Sequence, residues 1–285
     1  ILAHPVCLLE PEPGVLFPAG SANTDKAYKA IRTDNRSVVV QQAVLRARLL
    51  DMLIADWDRH KNQWDWTTID SNNIRYYYPI PEDRDQAYFL TKGTLARIIR
   101  LFALPNLIGF THSGEDLKKL NYKVYSFDRY FMNQLQKQDW VQTIKAFQAN
   151  LSDEVIHDAV KKLPPEIYAL RGAEIENKLI ERRNNLLDNA MIYYDFLVSE
   201  AIVNGTSMAE HYNVKYEGDK LFVEVARKSD GMKMFSRTYD ADETSEVAFW
   251  DFSKGNDEVT ITGEPNEIKL SWLEPKPIDK ESNKF

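Results

Sequence analysis

Over residues 38–55 apolar side chains return every three or four positions, at Val40, Val44, Leu45, Leu49, Met52 and Leu53, while Arg46 and Arg48 fall off the stripe. That period predicts an amphipathic helix. Beyond it, Asn72-Asn73 is a turn signal ahead of the aromatic, β-favouring run 74–78, which predicts a short hairpin and then a loop. Residues 94–200 read as nearly continuous helices. Within them, SDEVIHDAVKKLP has Ser152 as N-cap, Asp153 and Glu154 in the first turn, Lys161 and Lys162 in the last, and Pro164 as the stop, each charge suiting the helix dipole at its end. A further stripe of Ile175, Leu179, Leu186, Ala190, Tyr193 and Leu197 predicts a long helix.

Near residue 203 the period changes from three or four to two. YNVKY, LFVEVAR, KMFSRTY, EVAFWDF, EVTITG and EIKLSW alternate apolar with polar and are separated by Gly-, Asp- and Asn-containing turns. Before residue 38, Pro5, Pro11, Pro13, Pro18, Gly14 and Gly20 break any regular element into short extended pieces. The expected organisation is therefore an extended lead-in (1–37), an α-rich domain (38–202), a small antiparallel β domain of sandwich or open-sheet form (203–274) and a polar tail (275–285). The fold class is α+β.

Composition narrows the function classes. A chain of 285 residues with 44% apolar and 28% charged residues is long enough for two cores and has the balance of a folded protein. A net charge of −7 argues against a general nucleic-acid surface, which needs positive charge to neutralise phosphates. No apolar run approaches the length of a membrane span. The one cysteine, Cys7, can form neither an internal disulfide nor a thiolate zinc site. The chain opens on Ile1 without the basic start and apolar core of a signal peptide, so a piece of a larger protein, or a mature product, is expected.

The stretch DWDRHKNQW, residues 56–64, places dense polar chemistry directly behind the apolar run of the predicted helix. It is either a buried hydrogen-bonded network or a site. Phosphoryl transfer of the kinase kind needs an Asp to accept the hydroxyl proton, an amide ligand five residues on, and a second Asp on a following turn to hold Mg²⁺. Here Asp58 is followed by Gln63, and PEDRDQAYF supplies Asp83 and Asp85 beyond the predicted hairpin. Trp57, Trp64 and Trp66 read as core packing around the loop. The histidines show no HxxxH or HxH pairing, and Ser113 lacks a GxSxG setting. Arg182-Arg183 reads as a solvated or salt-bridged face, with an anion contact as the alternative.

DWDRHKNQW is similar to the catalytic loop of the atypical kinases that include HipA-type serine kinases, type II phosphatidylinositol 4-kinases and the secreted Fam20 kinases. The resemblance implies a kinase-like lower lobe, with Asp58 as base, Gln63 at the metal-binding amide, Asp83 as metal ligand and Asp85 beside it in place of a turn glycine. Asp56, Arg59, His60, Asn62 and Arg84 would be loop scaffold; Mg²⁺ and ATP are the implied cofactors. Two departures stand out: Gln63 is a methylene longer than Asn, and no Gly-rich loop or VAIK-like strand precedes residue 38.

More of the chain, roughly 38–272, resembles an uncharacterised family of large bacterial envelope proteins. The matching segments are LRARLLDMLIADWDRHKNQW, YYYPIPEDRDQAYF, FDRYFMNQL, ERRNNLL and NGTSMAEHY. Members carry a calcineurin-like metallophosphoesterase domain before this region and a surface-antigen, BamA-like barrel after it. This implies a location in the cell envelope, periplasmic or outer-membrane associated, and partners among other domains of the same parent or an outer-membrane complex. Three functions follow as expectations. One is a Mg²⁺-dependent phosphate- or nucleotide-binding, kinase-like module, active or degenerate. Another is a non-catalytic module of an outer-membrane assembly, its strands docking a partner. The third is an accessory region of a metallophosphoesterase whose catalytic domain lies elsewhere.

Overall fold

The structure, a computed structural model, describes residues 22–90, 107–253 and 256–273. His4, Cys7, the predicted tail and the first part of the predicted helical run lie outside the described residues. The chain is α+β with mixed sheets.

The first layer contains β1 (Ala22–Asn23), α1 (Thr24–Thr33), β2 (Ser37–Val39), α2 (Gln41–Ile54), β3 (Trp64–Ser71) and β4 (Ile74–Pro81). Its strands run in the order β1-β3-β4-β2, with β2 parallel to β4. The described part of the lead-in is therefore not extended, as expected, but holds a helix. Asn23 caps α1 by accepting from Lys26 N at 3.0 Å, and Thr24, Ala27 and Ile31 form its buried side. The prolines that argued against a helix all stand upstream of it. The β3–β4 hairpin turns on Asn72 and Asn73, whose φ of 52° and 61° give the mirror-image turn that fits strand twist.

Helix α2 is buried over most of its surface. It packs against β4 and two later helices, α5 (Lys137–Asn150) and α7 (Pro165–Val198). Arg48, which the periodicity placed off the apolar stripe, is fully buried with them. Between these helices come α3 (Leu117–Leu120), α4 (Tyr125–Phe131) and α6 (Asp153–Val160). The helical run is less continuous than expected, since 107–116 is irregular. Ser152 caps α6 as expected, accepting from Val155 N at 3.3 Å. That helix stops at Val160, however, so Lys161 and Lys162 follow it, and Pro164 stands at the N-cap of α7.

Helix α7 runs for 34 residues and passes almost directly into β5 (Glu200–Asn204), so the β region begins slightly before residue 203. The six predicted runs all appear, as β6 (Glu210–Glu217), β7 (Lys220–Arg227), β8 (Lys233–Asp240), β9 (Glu246–Trp250), β10 (Glu258–Thr262) and β11 (Lys269–Trp272). They form two sheets, β10-β6-β7-β8 and β11-β9-β5. The expected all-antiparallel arrangement is corrected here. Antiparallel pairing is confined to β6–β7–β8, whereas β10–β6, β11–β9 and β5–β9 are parallel. Tight turns close the first two hairpins, but from β8 onward the chain changes sheet at each connection. Spatial neighbours are then not consecutive and can run the same way. The sheets face each other through Tyr212, whose ring lies 5.8 Å from Phe249 and 6.0 Å from Trp272, while Phe249 and Trp272 stack at 4.0 Å. No described helix is long and apolar enough to cross a membrane.

Candidate functional site

The loop 55–63 hangs between two fixed ends. Ala55 closes α2 with a left-handed φ of 54°, and Trp64 and Trp66 anchor β3 in the core, Trp64 stacking on Phe127 at 4.9 Å. Hairpin β3–β4 then folds back so that the segment after Pro81 lies beside the loop: Glu82 N donates to Gln63 O at 2.9 Å.

Behind the loop stands a largely buried network of three guanidinium and three carboxylate groups, of which Asp51 and Asp128 were absent from the sequence reading. Asp51, one turn before the end of α2, accepts from Arg48 Nη1 at 2.8 Å, Arg84 Nε at 2.8 Å and Arg59 Nη2 at 3.1 Å. Arg48 also meets Asp128 at 2.9 Å and donates to Asn121 Oδ1 at 2.7 Å, and Tyr193 donates its hydroxyl to Asp128 at 2.7 Å. Arg59 reaches Asp56 at 2.9 Å and donates to the carbonyl oxygens of Gln63, at 3.3 Å, and Glu82. Burial alone would raise the Asp51 carboxyl, but Arg59, Arg84 and Arg48 together hold it at about 2. Burial pushes Asp56 the other way, to about 6, because Arg59 offsets it only partly and Asp51 adds repulsion. Burial likewise raises Asp128 against the pull of Arg48.

In front of this network lie the candidate site residues. Asp58 is partly exposed and pairs with Lys123 Nζ at 2.5 Å; Lys123 also sits 5.5 Å from the Trp57 ring. Gln63 donates Nε2 to Asp83 Oδ2 at 3.1 Å and accepts from His60 N at 3.1 Å. His60 and Asn62 belong to the same tight turn, with Asn62 N donating to His60 Nδ1 at 3.3 Å. Asp83 has a left-handed φ of 54°, and both it and Asp85 are exposed. The structure thus brings Gln63 and Asp83 together, turns Arg59 and Arg84 inward to Asp51, and leaves Asp58 with a lysine partner. Among the described residues, no group of three His, Cys, Asp or Glu side chains is placed to hold a metal ion by itself.

Sequence reasoning missed Asp51, Asn121, Lys123, Asp128 and Tyr193, and it placed Arg48 on the wrong side. The one local signal was Arg48 with Asp51, an i,i+3 pair of opposite charges inside an otherwise apolar run. Arg182 is also corrected. It faces the interior, donating to Leu53 O and Met52 O at 2.6 Å and to Thr111 O at 3.2 Å, and so completes the C-terminus of α2. Burial lowers it to about 10. Its neighbour Arg183 does pair with an acid, Asp153, at 2.7 Å. Ser113 serves through its backbone, where its carbonyl accepts from Asn189 at 2.8 Å. Comparison of the chain with protein-family models, with curated proteins and with solved structures found no match.

Proposed function

We propose that the loop and the facing turn form a Mg²⁺-dependent phosphate- or nucleotide-binding site of a kinase-like module. Asp58 is the base toward a hydroxyl, and Gln63, Asp83 and Asp85 are the oxygen donors on the metal side. The observation that carries this reading is the Gln63–Asp83 hydrogen bond of 3.1 Å, which joins two clusters twenty residues apart, the buried Gln63 reaching the exposed Asp83. Mg²⁺ is commonly held by one or two carboxylates, with water and the ligand's own phosphates completing its shell, so two acids and an amide fit it in number and hardness. Gln63 now turns its NH₂ to Asp83, so its oxygen reaches a cation only if the amide turns over and releases His60 N. On the family resemblance, the module belongs to a bacterial envelope protein.

Titration calorimetry of Mg²⁺ with ATP into the 285-residue chain tests this. Saturable heat that requires Mg²⁺ is expected, weakened about tenfold or more by Asp83→Asn. Asp58→Asn is expected to leave binding intact and abolish turnover of ATP. Absence of heat at millimolar ligand from folded protein would sink the reading.

A second reading, a non-catalytic module whose loop is architecture, is favoured by a different observation. Asp51 ties Arg48, Arg59 and Arg84 into one buried knot, and Asp58 is already satisfied by Lys123. On that reading the exposed acids tolerate substitution without any loss of ligand binding.

A further inference from the structure

Lys123 reaches the front of the site from outside both the loop and its facing turn. It stands between α3 and α4 on a turn that the buried network holds in place. Asn121 Oδ1 accepts from Arg48 Nη2 at 2.7 Å, and the Asn121 carbonyl accepts from Val124 N and Tyr125 N, both at 2.9 Å. The turn is thereby tied to α2, the helix from which the loop departs. From it Lys123 Nζ meets Asp58 at 2.5 Å and lies 5.5 Å from the Trp57 ring, which supports the lysine stem. Solvent reaches both partners, the Lys123 and Asp58 side chains being 37% and 30% exposed.

The charge around the site gives that lysine its meaning. Glu82, Asp83 and Asp85 are exposed on the facing turn, and with Asp58 they repel a phosphate unless cations offset them. The nearby guanidinium groups are directed elsewhere: Arg59 and Arg84 turn inward to Asp51, and Arg59 also donates to the carbonyls of Gln63 and Glu82. Lys61, on the loop itself, turns away to Asp25 of α1 at 3.5 Å. Among these described cations, Lys123 alone meets a side chain of the proposed site.

We propose that Lys123 is the residue that binds the ligand's phosphate, an inference that rests on the phosphate-site reading above. An ammonium group has three donors, and Asp58 takes one of them, so another is left to donate to a phosphate oxygen beside the base. The phosphate is then held between this lysine and a metal on the Gln63 and Asp83 side. Lysine suits the task, since it is a compact charge on a flexible stem and can follow an oxygen whose position the ligand decides. Recognition is therefore of the polyphosphate group, whatever organic group it carries. The buried network acquires a role in this as well, because the Arg48–Asn121 bond sets the lysine opposite the loop.

Titration calorimetry of the 285-residue chain with magnesium tripolyphosphate, and separately with Mg²⁺ and ATP, tests the proposal. Lys123→Met is expected to weaken both ligands about tenfold, and Lys123→Arg to restore most of the loss. Lys119→Met, which removes an exposed cation of α3, is expected to change neither. Asp58→Asn is the decisive control, because it breaks the same ion pair but keeps the lysine charge, and it should retain binding. Equal affinity of Lys123→Met and wild type would overturn the inference while leaving the phosphate site standing. Equal losses in Lys123→Met and Asp58→Asn would also overturn it, by showing the pair to be scaffold. No heat from the wild type with either ligand would overturn both the inference and the reading beneath it.

Discussion

Arg48 Nε lies 2.9 Å and 3.2 Å from the two carboxylate oxygens of Asp128, with both side chains wholly buried, and so joins α2 to α4 across 80 residues of chain. A buried pair of this kind costs much desolvation, and its removal from one side strands the other charge. Arg48→Met keeps the volume but leaves Asp128 without a cation and Asp51 with one fewer. A loss of ~3–5 kcal/mol in urea unfolding is expected. A loss below ~1 kcal/mol would mean that water or rearrangement satisfies the acids.

Asp56 is the weak point of the same network. Its carboxyl is raised by burial to about 6 from an ordinary 3.8, so the folded state holds the proton more tightly than the unfolded. Its ionisation therefore costs stability, fully above pH ~6 and not at all below pH ~4. Asp56→Asn removes that cost and should stabilise by up to ~3 kcal/mol at pH 8, with the gain vanishing as the pH falls toward 4. Denaturant melts of both proteins across that range decide it, and a gain that is flat with pH would contradict the assigned shift.

Asp83 sits at the exposed end of the site, so its replacement separates chemistry from folding. Asp83→Ala loses one part-buried hydrogen bond, from Gln63, and puts alanine at a left-handed φ of 54° that aspartate tolerates better. Its effect on stability should stay within ~2 kcal/mol. A larger loss would show the turn to be structural, and would weaken any conclusion drawn from lost ligand binding in this variant.

Arg182 holds the end of α2 from which the loop departs. Arg182→Met leaves the carbonyls of Leu53 and Met52 without their donor, and ~2–3 kcal/mol of stability should be lost. Faster amide exchange should appear first at 55–63, ahead of the β sheets. Uniform change over the whole chain would show instead that Arg182 acts on global stability alone.

Gly263 follows β10 with a φ of 83°, and a Cβ there would collide with the carbonyl of Tyr216. Gly263→Ala is expected to cost ~2 kcal/mol or more, visible as a lower melting temperature. A neutral result would mean that the β10 end can move away from β6.

Periodicity was enough to place α2, α7 and all six strands after β5, because an apolar repeat of three to four or of two is set by local geometry, while cap and turn residues placed α6 and the β3–β4 hairpin. Gln63 and Asp83 meet across a hairpin that the Asn72-Asn73 turn made legible. Tertiary structure alone decided the rest. Arg48 departs from the apolar stripe of α2 yet is buried, because its partners Asn121 and Asp128 come from segments that no local period connects to it. Lys123 reaches Asp58, and Arg182 reaches Leu53, only after α3, α4 and α7 have packed around α2. The parallel strand pairs have the same origin. Side-chain alternation reports which face of a strand is buried, but not which strand lies beside it when the chain crosses from one sheet to the other.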